Sequence, residues 1–181
     1  MPSLLILGAG GHGKVVSEIA EDMGYDKIDF LDDNSLDAIG KIYELEKFKN
    51  KYDEAFVGVG NNELRAELIQ KLEDCGYTVP VLIHPSAYVS RSATVGKGSV
   101  IEPNAIINAN SIIGIGSIIS VGAIVDHNAE VGAYCHINSG AIVKAGGKIA
   151  SKSRIDAGQV TEGYTRTACD IRMANTNEEF E

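Results

Sequence analysis

From Ile83 to Ile155 every sixth residue is Ile or Val: 83, 89, 95, 101, 107, 113, 119, 125, 131, 137, 143, 149 and 155. Four positions after each stands a small residue, running from Ala87 and Ala93 through Ser99 and Cys135 to Ser153, and only Gln159 breaks that second series. A six-residue period this strict predicts a parallel β-helix of hexapeptide units, because turn spacing in a sandwich of short strands wanders. Each unit supplies one short strand whose aliphatic side chain points inward and stacks on its equivalents in neighbouring coils. The small residue lies near a corner, where a large side chain does not fit. Three units make one triangular coil, so the ladder predicts a little over four coils.

The first 80 or so residues follow other periods. Leu4-Leu5-Ile6-Leu7 reads as a buried strand running into Gly8-Ala9-Gly10-Gly11-His12-Gly13. A helix follows, with Val15, Val16, Ile19, Ala20 and Met23 on one face and Gly24 as its stop. Lys27 to Leu31 reads as a second strand ending in Asp32-Asp33, and Phe56 to Val59 as a third. Asn61 or Asn62 can cap the next helix, whose apolar face is Leu64, Leu68, Ile69 and Leu72 and whose stop is Gly76. Strands alternating with helices predict a parallel sheet with right-handed crossovers.

Gly8, Gly10 and Gly13 satisfy G-x-G-x-x-G between a strand and a helix, with acids about 20 residues on at the end of the second strand. Glycine lets the backbone approach a pyrophosphate, which then sits at the positive helix end. Roughly 80 residues hold about half of a dinucleotide-binding fold, so a nucleotide-sugar fits better than NAD. A tight turn without ligand is the plainer alternative. His12 lies inside this loop, at a strand rim, where it either contacts substrate or simply starts the helix.

Charge and composition narrow the classes. The net charge of −9 argues against nucleic-acid backbone or an anionic membrane as partner. No apolar run reaches membrane-spanning length. Cys75, Cys135 and Cys169 lack metal-ligand spacing, and an odd count without a signal peptide points to the cytoplasm. The aliphatic core of the β-helix catalyses nothing, so chemistry must come from outward or corner positions. His127 and His136 fall there, nine residues or half a coil apart, so they do not stack on one another. A groove between neighbouring protomers and plain surface exposure both suit them.

The loop from Gly8 to Lys14, the Asp32-Asp33 pair, the segment Gly58-Val59-Gly60-Asn61-Asn62-Glu63-Leu64-Arg65, the stretch Leu82 to Ala87, and Asp126-His127 with His136 together resemble the sugar acyltransferases with an N-terminal nucleotide-binding domain. That group includes the UDP-4-amino-sugar N-acetyltransferases of bacillosamine synthesis and the sialic-acid O-acetyltransferases. The resemblance covers about residues 3 to 150. It implies a small α/β Rossmann-like N-terminal domain (1–80), then a left-handed parallel β-helix (81–160), leaving 161–181 as an irregular, flexible tail. It also implies acetyl transfer from acetyl-CoA to a UDP-linked amino sugar, without metal, in a homotrimer with sites between protomers. His127 would be the general base, flanked by Asp126 and Asn128. His136, Ala145 and Gly146 would serve acetyl-CoA, the last two through an oxyanion hole. Gly8, Gly10, Gly11, His12, Gly13, Asp32, Asp33, Gly60 and Asn61 would hold the nucleotide-sugar.

Two departures stand out. The family often places an acid just after the base, where this chain has Asn128. Its members usually continue for one or two more coils, whereas here the period ends near Val160. Lys144, Lys148, Lys152 and Arg154 are the only charges between Glu130 and Asp156, and suit either CoA phosphates or a solvated face. Two other readings stay open: a γ-class carbonic anhydrase, which the nine-residue His spacing fits poorly, and a non-catalytic nucleotide-sugar-binding protein. Transfer to a sugar hydroxyl is the alternative within the main reading.

Overall fold

The structure is a computed structural model that describes residues 2–164. It begins with a parallel sheet of β1 (Ser3–Leu7), β2 (Lys27–Leu31) and β3 (Glu54–Val57), ordered β2-β1-β3. Helix α1 (Gly11–Asp22) joins β1 to β2, a 3-10 helix (Ile42–Phe48) precedes β3, and α2 (Asn62–Asp74) follows it. The third strand starts and ends two residues earlier than its apolar run suggests. Just past it, a Cβ on Gly58 would lie 2.7 Å from the Gly13 Cα, a contact no side chain would allow. On α1, Val16, Ile19 and Ala20 are buried, while Val15 and Met23 face solvent. On α2 the buried face is Arg65, Leu68, Ile69 and Leu72, and Leu64 is exposed.

Thirteen two-residue strands follow, from β4 (Leu82–Ile83) to β16 (Arg154–Ile155). They form three parallel walls. Wall 1 holds the strands beginning at Leu82, Val100, Ile118, His136 and Arg154; wall 2 those at Tyr88, Ile106, Ile124 and Ile142; wall 3 those at Thr94, Ile112, Glu130 and Lys148. Each strand pairs with the one 18 residues on, as in Ile83↔Ile101, Ile101↔Ile119 and Ile119↔Ile137. The second residue of every strand points inward and builds one aliphatic core, with Ala105, Ala123, Ala129, Cys135 and Ala141 at its corners. Buried Ser99, Ser111 and Ser117 sit at equivalent corners and donate to the carbonyls of Gly114, Asp126 and Gly132 at 3.0, 2.7 and 3.0 Å. These bonds satisfy hydroxyls that the core would otherwise leave bare.

The first residue of each strand points outward, and wall by wall it decides what covers the prism. Leu82, Val100 and Ile118 of wall 1 pack against Leu4, Ile6, Val16, Ile19 and Phe56. The N-terminal sheet therefore lies on wall 1 with its strand ends aimed at the later coils. The opposite sheet face packs on α2 and the 3-10 helix through Leu5, Leu7, Leu45, Leu68, Ile69 and Leu72. Beyond β16 the register runs on. Val160 bridges Ile142, Thr161 N–H donates to Ile142 O and Tyr164 N–H to Ala145 O, both at 2.9 Å. The rest of the expected irregular tail, including Cys169, lies outside the described residues.

Candidate active site

The candidate side chains fall into two groups on different parts of the prism. The first is the corner joining wall 2 to wall 3. His127 is exposed there, and Asn128 Nδ2 lies 3.1 Å from its Nδ1. Asn128 has φ 56°, in the left-handed region that Asn tolerates better than most residues, so the turn itself favours Asn here. Asp126 does not reach the imidazole. Its Oδ1 accepts the backbone N–H of His127 at 2.7 Å and the Asn108 side chain at 3.0 Å, so it shapes the turn rather than the ring.

The next coil along places Ala145 and Gly146 beneath this corner. Gly146 N–H is already committed to His127 O at 3.0 Å, which removes it as an oxyanion donor. Ala145 N–H has no partner among the described residues. Tyr164 closes one side: its ring lies on Gly146, where a Cβ would clash, and its centroid is 6.2 Å from that of His127. An open cleft of about 570 Å³ lies between Asp126, Lys144, Ala145, Glu162, Gly163 and Tyr164. Nothing in the hexad pattern marks Tyr164; only its place 18 residues after Gly146 does.

The second group lies where the glycine loop meets wall 1. Gly8, with φ 103°, packs on Gly58 and Val59, and Gly13 sits against Gly8 O. These two glycines serve close packing. Gly10, Gly11 and Gly60 have open space where a Cβ would be, and Gly10 leaves the start of α1 without a side-chain cap. Free N–H groups at a helix start suit a phosphate. Asn61 caps α2 by accepting Leu64 N–H at 2.9 Å.

The acid pair bonds backbone N–H groups of its own loops. Asp32 accepts the N–H groups of Ala9, Asn34 and Ser35 at 2.9, 2.7 and 2.9 Å, and these bonds hold its carboxyl below the usual range. Asp33 accepts Ile42 N–H at 3.0 Å. Both fasten the chain's own loops.

The structure brings His12 and His136 together where the glycine loop meets wall 1. The strand rim is not open, because wall 1 stands over it, so His12 is largely buried with Nδ1 3.6 Å from Glu102 Oε1. His136 heads a wall 1 strand, away from the corner that holds His127, Ala145 and Gly146. Its ring centroid lies 6.4 Å from that of His12, and its Nε2 lies 3.2 Å from Ser120 Oγ. Burial, then the opposing imidazole, then the Arg65 cation pull His12 down to about 4. Burial, then Arg154 and Arg65, do the same to His136. Burial pushes the Glu102 carboxyl up.

The four basic residues of the last coils form no common face. Lys144 pairs with Glu162 at 4.0 Å, Lys148 with Glu130 at 2.9 Å, Lys152 with Glu63, and Arg154 with Asp156 at 3.8 Å. Only Lys144 lines the cleft near His127. Among the described residues no group of three or more His, Cys, Asp or Glu is placed to hold a metal ion, and no helix is long and apolar enough to cross a membrane.

Comparison with known proteins defines the class. Residues 3–72 match the PglD N-terminal domain family. The acetyltransferase domain of PglB from Neisseria gonorrhoeae, also solved in complex with acetyl coenzyme A, is 38% identical with a TM-score of 0.85. The match to its first structure covers 90% of this chain and 83% of that one. PerB from Caulobacter crescentus, solved with CoA and GDP-perosamine, is 31% identical with a TM-score of 0.80 over 90% of each chain. The chain belongs to the sugar acetyltransferases that join a PglD-type N-terminal domain to a left-handed β-helix. The UDP-N-acetylbacillosamine N-acetyltransferase of Bacillus subtilis is 34% identical over 119 residues, 56% of this chain, and the match spans 51% of that protein's length.

Proposed function

We propose that the protein transfers the acetyl group of acetyl-CoA to the amino group of a UDP-linked 4-amino sugar, with His127 as general base. The observation that carries this reading is the corner where an exposed imidazole, an unpartnered Ala145 N–H and an open cleft meet in a chain of this family. With the Asn128 amide turned so that Oδ1 faces the ring, it accepts from Nδ1–H and leaves Nε2 free to take a proton. The sugar amine attacks the thioester carbonyl, His127 removes the amine proton, and Ala145 N–H stabilises the oxyanion. Collapse expels the CoA thiolate, which recovers that proton from the imidazolium. The open side of Gly10, Gly11 and Gly60 supports nucleotide binding in the other group.

Assembly as a homotrimer is part of this reading. Wall 1 is covered by the N-terminal sheet, and wall 3 presents Thr94, Ile112, Glu130 and Lys148. Wall 2 presents Tyr88, Ile106, Ile124 and Ile142, with the first two exposed. Its edge is the corner that carries His127, so a second copy docked on wall 2 would roof the cleft. The test is thiol release from acetyl-CoA with a panel of UDP- and GDP-linked 4-amino sugars. His127→Ala is expected to lower kcat about a hundred-fold or more. If no sugar releases thiol, or the variant matches the parent, the acetyltransferase reading fails. A GDP-linked sugar as the sole substrate keeps the reaction and replaces the nucleotide.

A further inference from the structure

Arg65 is fully buried on the face of α2 that meets the β-helix, and no carboxylate pairs with it among the described residues. Six oxygens surround its guanidinium instead. Nε–H donates to Gly116 O at 2.6 Å, and Nη1 to Val59 O and Gly60 O, both at 3.1 Å. Nη2 donates to Asn62 Oδ1 at 2.7 Å and to the carbonyls of Tyr134 and Cys135 at 3.1 Å. Two acceptors belong to the loop between β3 and α2 and one to the first residue of α2; three belong to turns of the β-helix, the last of them one residue before His136. A buried cation is costly to desolvate, and these bonds offset that cost. Their distribution suggests a further purpose. The guanidinium fork can hold two pieces of backbone at a fixed separation, which a lysine ammonium cannot.

The held loop is one side of a cavity of about 240 Å³ lined by Gly60, Asn61, Asn62, Glu63, Lys152 and Arg154, whose other side is the coil next to the Tyr134–Cys135 turn. At its rim Asn62 Nδ2 donates to Lys152 O at 2.9 Å, and Lys152 pairs with Glu63. Arg65 is the inner link. We propose that Arg65 is a positioning residue for the nucleotide-sugar: it fixes the height of the Gly60–Asn61 loop over the wall that carries His136 and Arg154, and so sets the gap the substrate enters. This rests on reading the glycine-loop side as the nucleotide-sugar half.

Two readouts on Arg65→Lys test it. The first is amide hydrogen exchange of residues 59–62, which needs no substrate. The second is the Michaelis constant of each substrate measured separately. Arg65→Lys is expected to speed exchange in that loop and raise the constant for the nucleotide-sugar about tenfold, leaving that for acetyl-CoA within about twofold. Asn62→Ala, which removes the side-chain acceptor near the cavity rim, is expected to move both readouts the same way by a smaller factor and decides the matter if Arg65→Lys does not fold. Unchanged exchange, or equal shifts in both constants, overturns the proposal while leaving acetyl transfer by the parent intact. A parent with no turnover sinks the functional reading instead, and exchange alone still judges the anchoring.

Discussion

At the scale of single residues, the pair His12 and His136 ties stability to pH. Each titrates near 6.5 when free and at about 4 in the fold. Between those values the unfolded chain takes up protons that the folded chain refuses, so stability is intact above about pH 6.5 and falls as pH drops toward 4. Glu102 acts in the opposite sense, because its raised pKa lets the folded state gain a proton first. Asp32, with its lowered pKa, adds further loss at the acid end. Thermal melting between pH 7 and pH 4.5 is expected to show a declining Tm, and His136→Asn to flatten the decline. A parallel curve for the variant would show that His136 is protonated freely in the fold. Residues that bond only their own backbone resist sequence reading. Asp32 has the spacing of a ribose ligand, and only the structure shows that it accepts three nearby N–H groups.

At the scale of the element, a second six-residue series underlies the aliphatic one. Gly98, Asn104, Asn110, Gly116, Gly122, Asn128, Tyr134, Gly140, Gly146, Lys152 and Gly158 all have positive φ. From Gly98 on, each turn has one left-handed residue, which explains why Gly and Asn dominate that column. Gly116 and Gly122 separate the two costs of losing glycine there. A Cβ on Gly122, at φ 65°, meets nothing within 4 Å, whereas one on Gly116, at φ 63°, falls 2.5 Å from the Tyr134 ring and 2.8 Å from Ile69 Cδ1. Gly122→Ala is expected to cost about 1 kcal/mol from the backbone alone. Gly116→Ala should cost about 2 kcal/mol more, since Tyr134 and Ile69 must shift. Urea titration of both variants checks the ordering, and equal losses would mean that the aromatic ring yields freely. The aliphatic ladder was legible because one wall geometry repeats for every coil. Arg65 was visible only as an interruption: it occupies the apolar stripe with Leu68, Ile69 and Leu72, which a reading that keeps every apolar residue on one face assigns to Leu64. Its partners are backbone carbonyls of distant coils, and no local pattern encodes those.

At the scale of the whole molecule, the three walls have different fates, and the outward ladder of each states which. Wall 1 changes from Leu82, Val100 and Ile118 to His136 and Arg154 where the N-terminal sheet gives way to its loop ends. The same prism therefore buries its early coils and offers polar groups from its later ones. That alternation was present in the sequence, but it became readable only once the N-terminal sheet was known to lie on wall 1. Wall 2 stays apolar along its length and has no cover among the described residues. A flat apolar face of this kind marks an interaction surface. Placing a charge on Ile106, in the middle of that ladder, would bury it in any contact between copies, and a desolvated unpaired charge is not tolerated there. Ile106→Glu is expected to convert the proposed trimer to monomers in light scattering, with Tm nearly unchanged because the side chain faces outward. Thiol release should fall with it, since the second copy proposed to roof the cleft beside His127 is lost. Thr94→Glu, on wall 3, adds the same charge to a wall that already carries Glu130 and Lys148, and should leave both assembly and turnover as they were. A monomeric Ile106→Glu protein that retains full turnover would separate the chemistry from the seam and confine the site to one protomer.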